Sequence, residues 1–347
     1  ERKMITYRAC ALQFACYPIN DCPDKESARA MIMEAIARIG RLVPGAKHMG
    51  GADMKLIVLP EYVLTNFSMG IKPDQWRDWA ALDIDGPEYE ALAKVAQDND
   101  VYLCTNAYER DENFPDTYFQ ACVIFDPSGN VVLRYRRLNS IYTPTPHDYW
   151  DRYLDLYGLD AVFPVAKTPI GNLCSVASEE MQYPEMIRTF ALRGAEVVCH
   201  PCADPLNLAH SPKNVMKQAR AIENLMYVIS ANLSTHKGFP MGEHTCDGGS
   251  RIVDYTGRVL AEAGQGESMT ATADINLSAL RHYRNRPEIN NFLTRQRTDL
   301  YRETYAQEIW PPNSLADCPP SRDHMAGVQR DVMARLKAAG IIETEES

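Results

Sequence analysis

The stretch LIVLPE, residues 56–61, decides the fold class of this chain. Its four apolar residues follow one another without alternation, which is typical of a strand buried on both faces of a mainly parallel sheet. Pro60 ends the strand, and Glu61 then stands at its carboxyl-terminal tip. Because α/β proteins place functional side chains at such tips, Glu61 is a candidate general base. A surface or helix-capping glutamate is the alternative interpretation.

Strand-like and helix-like patterns alternate on both sides of this stretch. The first half predicts a strand at 7–14, a helix from 28 to 43, a helix from 87, a strand at 101–104, and a hairpin with strands at 118–125 and 131–135. The second half predicts strands at 162–165 and 173–177, a helix at 185–193, a strand at 196–199, a helix at 212–227, a strand at 228–232, and a hairpin at 251–259. This order indicates an α/β fold with two related sheets and outer helices.

Composition and charge exclude several classes of protein. The 347 residues are 45% hydrophobic and 24% charged, which is ordinary for a globular chain and unlike collagen, coiled coils or disordered proteins. The formal net charge of -10 argues against nucleic acid as a partner. No run approaches the ~20 apolar residues that a membrane span needs. The opening ERKMITYRAC also lacks a signal-peptide pattern, so we expect a cytoplasmic protein that does not bind membranes.

Ten cysteines raise the question of a reactive thiol. The closest pair, Cys199 and Cys202, resembles half of a zinc site, but no second half follows at metal spacing. We therefore expect no metal site, and we expect most of the ten to be small buried residues of a reducing cytosol.

Several blocks of the sequence resemble the nitrilase (carbon–nitrogen hydrolase) superfamily and occur in that family's order. They are LPE at 59–61, YRR at 135–137, YPE at 183–185 with ALRGAE at 191–196, RAIEN at 220–224, and GS at 249–250 with the hairpin after it. The resemblance implies an α/β fold, a four-layer α-β-β-α sandwich, in a nitrilase-like domain of residues 1–285. The Arg-, Asn- and Pro-rich residues 286–347 are predicted to form an extended C-terminal tail. We expect this tail to pack on a partner subunit of a homodimer or larger homo-oligomer.

The resemblance also implies a mechanism. In the family, a cysteine thiolate attacks an amide or nitrile carbon, a glutamate transfers protons and a lysine stabilises the oxyanion, without metal or organic cofactor. The glutamate corresponds to Glu61, whereas the lysine position holds Arg137. The nucleophile position holds Ser178, whether counted forward from TPIG at 168–171 or backward from YPE at 183–185. The family's second glutamate has no counterpart in IYTPTPHD, residues 141–148.

These replacements leave several explanations open. A thiol of pKa ~8.5 ionises readily, whereas a hydroxyl must lose its proton during the attack. A natural hydrolase of a small amide-type or nitrile-type substrate would therefore use Ser178 as nucleophile, Glu61 as general base and Arg137 as oxyanion stabiliser. Alternatively, Arg137 pairs with Glu61 and locks the site of a catalytically silent protein that binds a small ligand.

Two further explanations concern the chemistry and the origin of Ser178. A lyase or hydratase would need only acid–base chemistry from Glu61. An introduced Cys-to-Ser replacement would account for Ser178 but not for Arg137 or the missing second glutamate.

Five other residues are candidates for substrate binding. His147 and Tyr149 belong to a polar and aromatic cluster, residues 147–151, in the loop that borders the family's substrate entrance. Glu179 and Glu180 follow Ser178 directly, and one of them is a candidate for proton transfer, although the resemblance implies a structural role for Glu180. His200 and Cys202 stand at the end of the next predicted strand, where they line the pocket or form a nucleophile–base pair. A solvated loop and a place in the core are the plainer alternatives.

Overall fold

The structure is a computed structural model that describes residues 5–204, 212–238, 246 and 248–343. Its strands are, in chain order, β1 (Thr6–Gln13), β2 (Met54–Val58), β3 (Tyr102–Glu109), β4 (Phe119–Phe125), β5 (Val131–Arg136), β6 (Ala166–Thr168), β7 (Gly171–Ser175), β8 (Val197–Cys202), β9 (Tyr227–Asn232), β10 (Arg251–Val253), β11 (Val259–Glu262) and β12 (Met269–Asn276). Its helices are α1 (Lys25–Gly50), α2 (Pro73–Ala80), α3 (Pro87–Asn99), α4 (Trp150–Val162), α5 (Pro184–Leu192), α6 (Pro212–Asn224), α7 (Leu277–Arg284), α8 (Arg302–Tyr305) and α9 (Arg322–Ala338).

The strands form two six-stranded sheets. One has the order β12-β1-β2-β3-β4-β5 and the other β11-β10-β9-β8-β7-β6. In the first sheet β2 pairs in parallel with both β1 and β3. In the second sheet β8 pairs in parallel with both β7 and β9. The unbroken apolar run at 56–59 therefore marks a central strand, as predicted.

The two sheets pack against each other, and helices cover their outer faces. Ala11 and Val58 of the first sheet share one core with Val198 of the second. The same core includes Ile187 of α5 and Ala221 of α6, which lie on the second sheet. A separate core joins the first sheet to α1 and α3. These layers confirm the predicted α-β-β-α sandwich. In the parts of the chain that are described, no helix has the length and apolar character needed to cross a bilayer.

The strand predicted at 162–165 is wrong. Val162 is the last residue of α4, and pairing begins only with β6, which starts at Ala166. Pro164 has no N–H to donate to a ladder, which accounts for the later start. The helix from Trp150 also takes up the end of the predicted loop at 147–151.

The prediction of an extended C-terminal tail is wrong for residues 322–338. They form α9, which begins after Ser321, whose side chain caps the helix by accepting a hydrogen bond from the His324 amide at 3.1 Å. Met325 and Val332 are its buried residues, and their spacing of seven is helical, but the prolines before this segment hid the pattern. Packing of the tail on a partner subunit stays a prediction.

Candidate active site

Glu61 lies where the ends of the two sheets meet. The Leu59 amide donates to the Cys104 carbonyl on β3 at 2.9 Å, and the Glu61 amide donates to the Cys202 carbonyl on β8 at 3.3 Å. These two bonds hold Glu61 between the sheets, and its side chain has no exposure to solvent. The prediction that the carboxylate stands at the tip of a central strand is confirmed.

The two oxygens of Glu61 have different surroundings. Oε1 accepts hydrogen bonds from Gln120 Nε2 at 2.7 Å and from Arg137 Nη1 at 3.1 Å. Oε2 is buried without a well-formed hydrogen bond to any described residue, although the nearby Ser178 side chain lowers the pKa of the carboxyl. Burial nevertheless raises that pKa overall. It outweighs Arg137 and Gln120, which favour the charged form and so lower the pKa. One oxygen is therefore anchored and the other is open to take a proton.

Gln120 is a site residue that the sequence analysis missed. It lies on β4 and is buried, and its amide nitrogen also donates to Asn106 Oδ1 at 3.1 Å. Its Oε1 accepts from Arg137 Nη1 at 2.9 Å, so this one side chain orients both Glu61 and Arg137. The signal was a single polar residue inside the apolar strand FQACVIF, residues 119–125.

Arg137 follows β5 and is almost fully engaged by protein acceptors. Besides Glu61 and Gln120, its Nη1 lies 3.3 Å from the Tyr62 hydroxyl, and its Nε donates to the Asn139 carbonyl at 2.8 Å. Its Nη2 donates to Glu179 Oε1. Burial opposes the charge, but Tyr62, Glu61 and Glu179 outweigh it and raise the pKa of Arg137, so it stays a cation. The ion pair with Glu61, which was the alternative interpretation of Arg137, is present.

Ser178 begins a short 3-10 helix, Ser178–Gln182, just beyond the end of β7. It is buried and has a φ of 44°, a left-handed conformation that few residues other than glycine adopt. Backbone strain of this kind concentrates at functional turns. Because the Ser178 side chain also interacts with Glu61, the structure brings together the three residues predicted to form the centre.

His200 and Cys202 lie behind this turn. His200 Nε2 is 2.9 Å from the Ser178 carbonyl oxygen, and His200 Nδ1 is 2.9 Å from Ser230 Oγ on β9. Burial lowers the pKa of His200 to about 3, so the imidazole is neutral. Its Nε2–H then donates to Ser178 and its Nδ1 accepts from Ser230. His200 thus fixes the position of the Ser178 backbone.

Cys202 contacts Ser230, the serine that His200 also contacts. Its sulfur lies 3.3 Å from Ser230 Oγ and 3.8 Å from Lys217 Nζ. Burial raises the pKa of the Cys202 thiol to about 12, which leaves almost no thiolate at neutral pH. All ten cysteines are unpaired, and eight of them are buried. The geometry therefore places His200 behind the Ser178 backbone and Cys202 against Ser230 and Lys217.

A buried cluster of two lysines and one aspartate adjoins this region and was also missed. Asp204 accepts from Lys213 at 2.6 Å and from Lys217 at 2.9 Å. Burial opposes ionisation of Asp204, but both lysines outweigh it and lower its pKa. Lys213 also lowers the pKa of Glu61. The available signal was the spacing of Lys217, Arg220 and Asn224, which places polar residues on the inward face of α6.

The remaining candidates divide into two groups. Glu179 and His147 line one cavity near Arg137, and the Glu179 side chain is 31% exposed. Tyr149 packs instead against Phe114, with ring centroids 5.5 Å apart, and lines a different cavity. The structure therefore does not bring Tyr149 to Glu61.

Comparisons with known proteins agree with this architecture. The chain is 25% identical over 313 residues to a formamidase of Pseudomonas syringae pv. tomato, covering 89% of this chain and 83% of that protein. It is 22% identical to an omega-amidase of Xenopus tropicalis, covering 86% and 98%. A carbon-nitrogen hydrolase structure from Helicobacter pylori superposes with a TM-score of 0.67 at 21% identity, covering 88% and 99%. An amidase structure from Nesterenkonia sp. gives 0.63 at 20% identity, covering 88% and 98%.

The family assignment rests on a match along most of the chain. The profile of the family described as carbon-nitrogen hydrolase matches residues 10–285. That range includes Glu61, Gln120, Arg137, Ser178 and His200. This chain belongs to the carbon-nitrogen hydrolase family.

Proposed function

We propose that this protein hydrolyses a carbon–nitrogen bond of a small amide-type or nitrile-type substrate, with Ser178 as nucleophile. The family and the names of the relatives, formamidase and omega-amidase, support an amide substrate. The observation that carries the proposal is the strained, buried Ser178 turn next to a carboxylate with one oxygen left open. That arrangement provides a nucleophile and a base within one site.

For an amide, the reaction proceeds in two halves. Glu61 takes the proton from Ser178 Oγ while Oγ bonds to the amide carbon, and the resulting Glu61 carboxylic acid then protonates the leaving amine. Water next attacks the acyl ester, again losing its proton to Glu61, and Glu61 returns that proton to Ser178 Oγ as the acid product leaves. The raised pKa of Glu61 suits this exchange, because a carboxylate that readily accepts a proton is a better base.

Arg137 is the proposed stabiliser of the oxyanion. It remains charged, but its donors already bond Glu61, Gln120, Asn139 and Glu179. These bonds use four of its five N–H groups, so an oxyanion binds either the second Nη2–H, which has no acceptor among the described residues, or a donor released from one of these bonds. When Glu61 becomes protonated, its hold on Nη1 weakens, which frees that donor at the moment the negative charge develops.

A second candidate function is ligand binding without turnover. The occupied donors of Arg137 and the replacement of a thiol by a hydroxyl favour it. In that case the Arg137–Glu61 ion pair holds the site in one fixed arrangement. Assembly as a homodimer or larger homo-oligomer and a cytoplasmic location are further proposals that accompany either function.

The test is release of ammonia from a panel of amides and nitriles, with the wild-type chain, Ser178→Ala and Ser178→Cys. Turnover that disappears in Ser178→Ala supports the proposal, and Ser178→Cys is expected to retain or increase it. Turnover that survives Ser178→Ala refutes the nucleophile and points to acid–base chemistry by Glu61. Saturable binding without ammonia release by the wild type supports the binding protein.

A further inference from the structure

A cavity of about 590 Å³ lies beside Arg137, and the C-terminal segment lines one side of it. Its walls come from residues within 138–150, 162–163, 179–186 and 309–333, and we call it the tail cavity. The Asn313 amide donates to the His147 carbonyl at 2.9 Å, and the Leu315 amide donates to the Asp148 carbonyl at 3.0 Å. Ser314 Oγ donates to Asp148 Oδ1 at 2.6 Å. The segment is thus fixed to the 3-10 turn that precedes α4, rather than resting loosely on it.

The tail cavity adjoins the candidate centre. Two of its lining residues, Asn139 and Glu179, bond Arg137 directly. Glu179 is also the residue next to Ser178 in the chain. Ser178 does not itself line the cavity, which therefore approaches the candidate centre through Glu179 and Asn139.

The residues that line the tail cavity favour an apolar ligand group and disfavour an anionic one. Trp150 and Trp310 line the cavity together with Met186, Val332 and Met333, and no lysine or arginine is among the described lining residues. Burial lowers the pKa of His147, so this histidine is neutral at pH 7. Glu179 uses Oε1 for Arg137, and its Oε2 has no hydrogen bond within the described part of the chain. An N–H donor finds a carboxylate oxygen here, whereas a carboxylate finds no cation.

We propose that the tail cavity receives the non-reacting part of the substrate and selects primary amides with an aryl or long alkyl body and no carboxylate. The amide N–H of such a substrate donates to Glu179, and its body lies between the apolar walls. The volume is within the ~300–1,000 Å³ of sites that enclose drug-sized ligands, and a formamide-sized molecule would leave most of it unfilled. This inference rests on the proposed function, because it assigns the substrate class of that same site.

Titration of the full-length Ser178→Ala chain tests the inference by binding alone. The probes are hydrocinnamamide, the short amide propionamide, and hydrocinnamate, which keeps the ring but carries a carboxylate. Calorimetry is expected to show hydrocinnamamide binding at least tenfold tighter than either of the others, because burying the ring is worth a factor of roughly ten or more. Equal affinity for the two amides, or equal affinity for the carboxylate, would overturn the inference.

Two variants and one control locate the binding. In the Ser178→Ala background, Trp310→Ala and the cavity-filling Met333→Trp are each expected to weaken hydrocinnamamide about tenfold and to leave propionamide unchanged. Tyr305→Ala, which removes an exposed aromatic residue of the same C-terminal region outside the cavity, is expected to change neither. If both cavity variants fold and bind hydrocinnamamide as before, the tail cavity is not the site.

The two proposals fail in different ways. Selective binding of hydrocinnamamide without ammonia release by the wild type removes the hydrolase and keeps the cavity as a ligand site. Ammonia release from propionamide, with no preference for hydrocinnamamide in binding, keeps the hydrolase and removes the assigned substrate class.

Discussion

Two buried glutamates, Glu61 and Glu180, lie near Arg137 and have different roles. Both Glu61 and Glu180 have no solvent exposure, and burial raises the pKa of each. Glu180 uses both oxygens: Oε1 accepts from the Tyr135 hydroxyl at 2.6 Å, the Leu138 amide at 2.8 Å and the Asn139 amide at 3.1 Å, and Oε2 accepts from the Ala177 amide at 3.0 Å. Glu61 leaves Oε2 without such a bond.

The hydrogen bonds therefore distinguish a structural carboxylate, Glu180, from a carboxylate that is available for chemistry, Glu61. Glu180 ties the chain after β5 to the turn that carries Ser178, so it holds Arg137 and Ser178 in one place. Satisfied buried groups stabilise a fold, whereas a buried carboxylate oxygen without a hydrogen bond costs free energy and is available to accept a proton.

The largest expected effect is on the reactivity of Ser178. Glu61→Gln is expected to slow acylation of Ser178 by p-nitrophenyl acetate about a thousandfold, because positioned general bases contribute ~10²–10⁴ in rate. Release of p-nitrophenol in single-turnover experiments measures it. The matched control is Asp98→Asn, which changes an exposed carboxylate on α3 paired with Lys94. An unchanged rate in Glu61→Gln would contradict the assignment.

The second effect is on stability, for which Glu180 is expected to matter more than Glu61. Glu180→Ala leaves four donors without their acceptor, two of them buried and two half-buried, and is expected to lower the free energy of unfolding by about 3 kcal/mol. Glu61→Ala is expected to lower it by only about 1 kcal/mol, because Gln120 and Arg137 keep other partners. Urea unfolding of both variants gives the comparison, and equal losses would refute the division of roles.

A smaller effect separates positioning from proton transfer. His200→Ala removes the donor to the Ser178 carbonyl and is expected to slow acylation about tenfold, which corresponds to the loss of one buried hydrogen bond. Because the pKa of His200 is lowered to about 3, the midpoint of the pH–rate profile is expected to stay where it is in the wild type. A shifted midpoint would show that His200 itself titrates in the reaction, and His200→Asn, which keeps a donor, is expected to recover part of the rate.

The smallest effect concerns strain. Ser178→Gly is expected to raise the free energy of unfolding by about 1 kcal/mol, since glycine adopts a φ of 44° without penalty. Ser178→Ala is the matched control, because it also removes the hydroxyl but keeps the strained Cβ. Thermal unfolding that places glycine at or below alanine would show that the turn stores no strain.

The sequence predicted the fold and the three central residues but not the roles of their neighbours. The apolar run before Glu61 marks a central strand by its pattern alone, whereas Arg137 and Ser178 followed from the resemblance to the family. The structural role of Glu180 was implied by the resemblance, but the partners of Glu179 and Glu180 were not predictable, because they come from distant parts of the chain. Gln120 and Asp204 depend on partners brought from distant strands and helices, which no local pattern reveals. Tyr149 joins an aromatic cluster with Phe114 for the same reason.

The pH dependence of Ser178 acylation tests most directly whether Glu61 is the general base for Ser178. The acylation is followed as the acetyl adduct by mass spectrometry. The general base acts only when ionised, and burial raises the pKa of Glu61 above its ordinary value. We therefore predict a rate that rises with pH through a midpoint above ~4.3, the pKa of a free glutamate, and an adduct that Ser178→Ala lacks. The same rise and rate in Glu61→Gln, or an adduct on another residue, would contradict it.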